Sequence, residues 1–283
     1  MTTVRDIMKE SIQALQLANI DRAHLDARLI VAHGLQMPSQ QVFGHPEKKL
    51  KNSDLARVRE LVIRRSQHEP VALIIGEKEF WSLLFKVTAA TLIPRPDSET
   101  LIEAVLSHHL DRKYPTRILD LGTGSGCLLL ALLHEYQNST GVGIDFSEDA
   151  LKVARFNGDN LGMGERVEFI HLDWNKGMPS LENFDIIISN PPYVAEKDME
   201  KLSVNVVGYE PYSSLFAGLD GLREFKTIFS LLAKTKNMKC DVFFEVGLNQ
   251  ANIVSKMLKN AGLRDIFIYR DLAGIGRCVA AKM

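Results

Sequence analysis

The 283-residue chain contains only three cysteines, Cys127, Cys240 and Cys278, far apart and without a CxxC pair. This spacing excludes a disulfide framework and a zinc site built mainly of thiolates, and it points to a reducing compartment. An excess of either charge is also missing. Lys and Arg number 34 against 35 Asp and Glu, for a net charge of −1, so no global positive field exists to hold bulk nucleic acid. Long apolar runs are lacking as well: the stretch from Cys127 to Leu133 is far shorter than the roughly 20 residues of a membrane span. The first ten residues, MTTVRDIMKE, carry Asp6 and Glu10 and no apolar centre, so they read as neither a secretory nor a transit peptide. A cytoplasmic protein without membrane contact is expected. No metal site is expected either. His108 and His109 are adjacent, side chains next to each other on a helix diverge, and they read, like Lys48 and Lys49, as solvated surface.

What is present is ordinary globular material, 46% apolar and 24% charged, in a length that suits one large domain or two ordinary ones. Residues 1–75 show apolar residues only at helical spacing, as in Ile12, Leu15 and Ala18 or Leu25, Leu29 and Ala32, which predicts a small helical domain. Asp21 is the expected N-cap of its second helix and Gly34 the stop; Asn52 or Ser53 opens a third helix that Pro70 closes. Residues 76–93 change to Phe80, Trp81, Leu83, Phe85 and Val87, the alternation of a hairpin, expected to connect the domains. Residues 94–283 alternate strand candidates at 117–121, 141–145, 167–171, 184–189, 241–246, 265–269 and 277–281 with helical stretches. That order predicts an α/β domain with a mostly parallel, doubly wound sheet, which binds ligands at the carboxyl ends of its strands.

Four strand ends carry chemistry. The first runs into Gly122-Thr123-Gly124-Ser125-Gly126 and then a helix, where glycines allow positive φ and let a ligand approach the backbone without meeting a Cβ. The dinucleotide fingerprint would need Gly or Ala at position 127, which is cysteine; a GxGxG loop after an Asp-containing strand suits the methionine end of S-adenosylmethionine instead. The second strand ends in Asp145, a carboxylate able to take both ribose hydroxyls and also to cap the helix that follows; both can hold, and the pairing with the loop favours ribose. Asp173 and Trp174 could flank the adenine from the third strand end. At the fourth, Asn190-Pro191-Pro192-Tyr193 is a turn stiffened by two prolines that lack backbone donors. It leaves the Asn190 side-chain oxygen, the Pro191 carbonyl and the Tyr193 face for a planar group whose NH₂ is to be methylated.

With these motifs in place, the chain resembles the protein-(glutamine-N5) methyltransferases that modify peptide chain release factors. The likeness runs through Pro70-Val-Ala with Gly76-Glu-Lys-Glu-Phe-Trp81, then Leu92-Ile-Pro-Arg-Pro-Asp97-Ser-Glu99, the glycine loop and Asp173-Trp174. It continues through the NPPY segment, Glu210-Pro211, Leu215-Phe-Ala-Gly-Leu-Asp-Gly221, and Asp271-Leu-Ala-Gly274 with Arg277. Two positions depart from the usual pattern: Asp97-Ser98-Glu99 stands where many members have Asp-Thr-Glu or Glu-Thr-Glu, and Leu172 stands in place of glycine. The resemblance implies a seven-stranded class I S-adenosylmethionine-dependent methyltransferase sheet with its last strand antiparallel. It also implies an N-terminal helical domain and methylation of the glutamine in the GGQ motif of class-1 release factors; the helical domain, which carries no donor motif, is expected to recognise the release factor. By the same likeness Gly122 to Gly126, Asp145 and Trp174 contact the donor, while Asn190 to Tyr193 hold the glutamine. A monomer without stable nucleic-acid binding is expected. The rival is adenine-N6 methylation of DNA, which shares NPPY; the helical region lacks the Lys, Arg and aromatic cluster expected for a flipped base.

Overall fold

A computed structural model of the chain describes residues 2–235 and 239–283 and divides into two compact units. The first comprises Met1–Glu77 with Ser203–Tyr209, the second Lys78–Leu202 with Glu210–Met283.

The first unit is helical, with α1 (Val4–Leu17), α2 (Ala23–Gly34), α3 (Ser39–Gly44), α4 (Asn52–Ser66) and α5 (Val71–Ile75). A reciprocal cap starts α1: Thr3 Oγ1 accepts from the Asp6 amide while the Asp6 carboxylate accepts from the Thr3 amide at 2.9 Å. The core joins Val4, Ile7 and Leu15 to Ala27, Ile30, Val31, Val58 and Leu61. Within it the Arg65 Nε donates to Asp26 Oδ2 at 2.7 Å, a buried pair in which each charge depends on the other.

Several expectations for this unit are corrected. The N-cap of α2 is Arg22 and not Asp21, and it makes no side-chain cap bond. The helix α4 opens at Asn52, as expected, but it ends at Ser66, ahead of Pro70, which instead caps α5. Leu25 is exposed, because the buried face of α2 follows Ala23, Ala27, Ile30 and Val31. The helix α2 does stop at Gly34, as expected, but not by a left-handed turn at the glycine; the positive φ of 53° falls on Gln36. Close packing explains the glycine instead, since a Cβ there would lie 2.7 Å from Val58 Cγ2 and 3.3 Å from Val58 Cα. Short α3 went unforeseen, having too few residues to display a period.

The second unit opens with a hairpin of β1 (Glu77–Phe80) and β2 (Leu83–Lys86). Its two-residue turn is Trp81-Ser82, with φ of 50° and 58°, a conformation that usually selects Asn-Gly. Hydrogen bonds hold the tryptophan there: its amide donates to Glu99 Oε1 at 3.1 Å and its indole to Glu135 Oε1 at 2.9 Å. The sheet that follows contains β3 (Arg117–Leu121), β4 (Thr140–Asp145), β5 (Val167–His171), β6 (Ile186–Ser189), β7 (Asp241–Glu245), β8 (Arg264–Arg270) and β9 (Gly276–Lys282). Their order across the seven-stranded sheet is β5-β4-β3-β6-β7-β9-β8, parallel except for β9. The expected sheet with one antiparallel final strand is therefore present, although β6 is shorter than the 184–189 expected.

Alternate residues on the central strands enter different cores. Ile118, Ile186, Ile188 and Phe243 pack with α6 (Glu99–His108), α7 (Cys127–Glu135) and the hairpin residues Phe80 and Phe85. Leu119, Leu121, Ile187, Val242 and Phe244 pack on the other side with the helices Arg223–Leu232 and Ala251–Asn260. Both faces are covered, which is why these strands read as continuous apolar runs. His108 and His109 are not solvated surface: His108 lies edge-on against Phe243 and Phe267, and Tyr269 Oη stands 2.6 Å from its Nδ1, while His109 pairs with Asp241 at 3.0 Å.

Gly34→Ala tests the packing reading in the first unit. The helix would gain up to about 1 kcal/mol from the propensity of alanine, whereas overpacking against a β-branched neighbour and its backbone costs roughly 1–3 kcal/mol. The urea midpoint should fall; a higher midpoint would show that α2 and α4 separate at no cost.

Candidate active site

The site forms where the strand order reverses. Starting from β3, the chain adds β4 and β5 on one side and β6 and β7 on the other, which opens a crevice beyond the carboxyl ends of β3 and β6. Leu121 and Ser189 are register partners, and the Ser189 hydroxyl donates to the Leu121 carbonyl at 2.7 Å. The residues that follow them, Gly122 and Asn190, are thereby brought together from 68 positions apart. Both line a cavity of about 440 Å³, within the usual range for a small-molecule site.

The glycine loop lies as its sequence predicts, with φ of 76°, 55° and 80° at Gly122, Gly124 and Gly126. The amides of Gly122 and Thr123 both donate to the Ile144 carbonyl at 2.9 Å, which seals the loop onto β4. Asp145, 7% exposed, accepts from the Gly124 amide on Oδ2 and from the Ser147 amide on Oδ1, both at 2.9 Å. It does not cap the next helix, α8 (Glu148–Asn160); Ser147 does, through its own hydroxyl. Burial raises the Asp145 pKa above the ordinary carboxylate value in spite of these amides.

Beneath the loop, Asp120 accepts the Thr123 hydroxyl at 2.7 Å on Oδ2, while Oδ1 is buried without a partner, as is Ser125 Oγ. Burial, reinforced by the nearby Asp145, pushes the Asp120 pKa up to about 7. Ser125 lines the cavity, whereas Asp120 stays behind its wall, bonded to the lining residue Thr123. Trp174 lines the wall; its indole donates to Glu224 Oε2 at 2.9 Å, and its ring lies so close to Gly122 that a Cβ there would come within 3.2 Å. Asp173 also lines the cavity, its pKa lowered chiefly by the Asn175 amide.

Of the NPPY segment, Asn190 and Pro192 line the cavity. Asn190 Nδ2 donates to Ser98 Oγ at 3.4 Å, which leaves Oδ1 as its outward acceptor. Pro191 is buried, and Tyr193 points its hydroxyl to Glu245 Oε1 at 3.2 Å, so neither belongs to the cavity wall. The Tyr193 carbonyl accepts from Gln250 Nε2 at 3.0 Å. Burial raises the Glu245 pKa to about 6. Arg277 donates to Asp271 and pairs with Asp97 at 2.9 Å. Pro94, Arg95 and Cys127 line the cavity; burial pushes the Cys127 thiol up to about 12 and leaves it inert as a base. Neither His nor Lys lines the cavity among the described residues.

Sequence reasoning missed Tyr212 and Glu224, which reach the cavity from the segment after NPPY, and Glu210, which braces the Ile93–Arg95 stretch from behind the wall. Glu210, 6% exposed, accepts the Ile93 amide at 3.1 Å and the Arg95 guanidinium, and Tyr212 stacks on Phe216 at 4.5 Å. Glu224 supports Trp174. Glu210 stood in a quoted motif, but nothing in the spacing said which group it would meet.

Sheet, loop and crevice define a class I S-adenosylmethionine-dependent methyltransferase. A methyltransferase domain description matches residues 113–242 and a PrmC N-terminal domain description residues 6–76. The hMettl16 catalytic domain in complex with a MAT2A 3'UTR hairpin shares the fold at a TM-score of 0.58 and 15% identity, covering 84% of this chain and 83% of that one. A release factor glutamine methyltransferase of Bradyrhizobium diazoefficiens is 36% identical over 95% of this chain and 91% of its own length. A bifunctional methyltransferase of Rickettsia bellii is 32% identical over 99% of this chain, which spans only 55% of that protein. The chain belongs to the release factor glutamine methyltransferase family.

The dry Asp120 carboxyl carries a testable linkage. Its native pKa of about 7 lies above the roughly 3.9 of an unfolded chain, so the stability present below the lower value is lost as pH rises through the higher one. Asp120→Asn can still accept from Thr123 and cannot ionise. Without donor, its Tm should exceed that of the natural protein at pH near 8, and the gap should close toward pH 4. A gap of equal size at both ends would assign the effect to packing.

Proposed function

We propose that this chain transfers the methyl group of S-adenosylmethionine to the N5 amide nitrogen of the glutamine in the GGQ motif of class-1 release factors. The observation that carries this reading is the placement of Asn190 at the crevice with Nδ2 turned to Ser98 and Oδ1 left as an acceptor beside the glycine loop. Relatives at 32–36% identity are named for release factor glutamine methylation, and the adenine alternative is not favoured. The donor supplies an electrophilic methyl group on a sulfonium.

In this reading Gly122 to Gly126 cradle the donor, Asp145 takes its ribose hydroxyls, Asp173 and Trp174 border the adenine, and Ser125 offers its unpartnered hydroxyl to the methionine end, while Asp120 braces the loop through Thr123. Asn190 Oδ1 accepts from the glutamine amide, while Pro191, buried outside the cavity wall, stiffens the turn that holds the asparagine. The amide nitrogen's lone pair is delocalised into its carbonyl, so this acceptor favours the pyramidal nitrogen that attacks. Pro192 borders the amide, and Tyr193, tied to Glu245, braces the turn instead of stacking on the substrate. Positioning and transition-state electrostatics supply most of the rate. No His or Lys lines the cavity among the described residues, and a methylated amide nitrogen is acidic enough to release its proton to water.

Incubation with radiolabelled donor and either a release factor or unmethylated DNA tests the substrate class; label in DNA alone would overturn it. Asp145→Ala removes two charge-assisted contacts and should weaken S-adenosylhomocysteine at least tenfold by calorimetry, since each is worth about 1.5–3 kcal/mol before water compensates. Asn190→Ala should lower kcat by about 10²–10³ with folding preserved. Near-normal turnover in that variant would remove Asn190 from the mechanism.

The same proposal gives the helical unit the task of recognising the release factor. It lacks any donor motif, and one glutamine side chain offers far less than the roughly 1,200–2,000 Å² of a specific protein interface. We add to the reading a monomeric, cytoplasmic enzyme without stable nucleic-acid binding, supported by the balanced charge of −1 and by the lack, among the described residues, of a helix long and apolar enough to cross a membrane. Charge substitutions on exposed residues of the helical unit should raise KM for intact release factor and leave a short GGQ peptide unaffected. Equal losses on both would assign the unit to support of the catalytic fold.

A further inference from the structure

Behind the outward acceptor of Asn190 stand two more polar groups. Ser98, 3% exposed, receives Asn190 Nδ2 at 3.4 Å. Glu245, 1% exposed at the end of β7, takes the Tyr193 hydroxyl on Oε1, while its Oε2 is buried with no hydrogen-bond partner. The Ser98 hydroxyl is close enough to this carboxyl to favour its ionised form.

The two ends of an asparagine amide have nearly the same shape, so only hydrogen-bond partners decide which end faces the cavity. A serine hydroxyl cannot decide by itself, because it donates and accepts equally well. An ionised carboxylate only accepts. With Glu245 ionised, the Ser98 hydroxyl is biased to turn its proton toward the carboxylate, and Oγ is left to accept from Nδ2. The reversed amide would set an NH₂ group against the NH₂ of the substrate. Resting on the reading of Asn190 as the acceptor for the glutamine amide, we propose that Glu245 and Ser98 are positioning residues: the carboxylate orders the serine hydroxyl, and the hydroxyl holds the Asn190 amide with its oxygen toward the substrate nitrogen.

The charge on Glu245 then sets the orientation. Burial moves its pKa up to about 6, opposed by the Ser98 and Tyr193 hydroxyls and by Arg277, while Asp97 pushes it further up; the thiols of Cys127 and Cys278 also face it. Protonation turns Oε2 into a donor and frees the Ser98 hydroxyl to donate to Asn190 instead.

Initial rates with release factor across pH, with kcat and KM resolved for each substrate, test the relay. In the natural enzyme kcat should fall as pH drops through about 6, with no matching change in donor KM; titration of Asp120 or Asp145 would appear in donor KM instead. E245Q should lose this acid limb and run about tenfold slower near pH 8, less than the 10²–10³ expected for removing Asn190 itself. S98A should behave alike, S98T should restore rate and limb, and the S98A/E245Q double variant should be no slower than either single, because both act through one contact. An acid limb that persists in E245Q, or losses that multiply in the double variant, would overturn the proposal. A measurement free of turnover accompanies these: the ¹³C resonance of the Glu245 carboxyl, titrated in the full chain, should shift to a higher midpoint in S98A. If no release factor takes up label, the substrate reading fails while this titration still decides the relay, and an unmoved midpoint would refute it.

Discussion

The parallel pairing of β3 with β6, Leu121 opposite Ser189, is the constraint on which the site depends. Both strands are buried on both faces, so neither can slip without exchanging its residues between the two cores. The Ser189 hydroxyl bonded to the Leu121 carbonyl locks the last rung. Everything beyond that rung inherits its position: the glycine loop leaves one strand and the NPPY turn leaves the other. A shift of one residue along β6 would turn Asn190 away from the crevice.

A second theme is the set of carboxyls kept out of water around the crevice. Asp120, Asp145, Glu210, Glu224 and Glu245 are all buried, yet their environments differ. Glu210 and Glu224 are paired with arginine and act as braces, for the Ile93–Arg95 segment and for Trp174. Asp145 is met by backbone amides. Asp120 and Glu245 each keep one oxygen without a partner, and these are the two whose pKa values rise to about 7 and about 6. Burial without full hydrogen bonding favours the neutral acid, so the incompletely satisfied groups are the ones poised to respond to a ligand or to pH.

Strand-end motifs were readable because each depends on short-range chemistry. Glycines at positive φ, an acidic residue closing β4 and prolines stiffening a turn announce themselves within a few residues, and the alternation of strands and helices announced the doubly wound sheet. The helical unit was legible as helical but not in detail. Its stripe on α2 was misplaced because Leu25 looked like core, whereas facing side chains on α4 selected Ala27 and Ile30 and required a residue without a Cβ at position 34. His108 and His109 looked like surface because their partners, Tyr269 and Asp241, lie far along the chain.

The sequence by itself determined the kind of protein: a balanced, cysteine-poor chain whose loop, acidic strand end and NPPY turn belong to one chemistry of methyl transfer. Local conformation and residue type carry that information, and both are properties of adjacent residues. Only the tertiary structure decided how the polar groups divide the work. It placed Asn190 and Pro192 at the cavity, withdrew Tyr193 to Glu245, and brought Ser98 behind Asn190 across 92 positions of sequence. A hydrogen bond is directional and effective only within about 3 Å, so which donor meets which acceptor cannot be settled until packing has brought distant segments together.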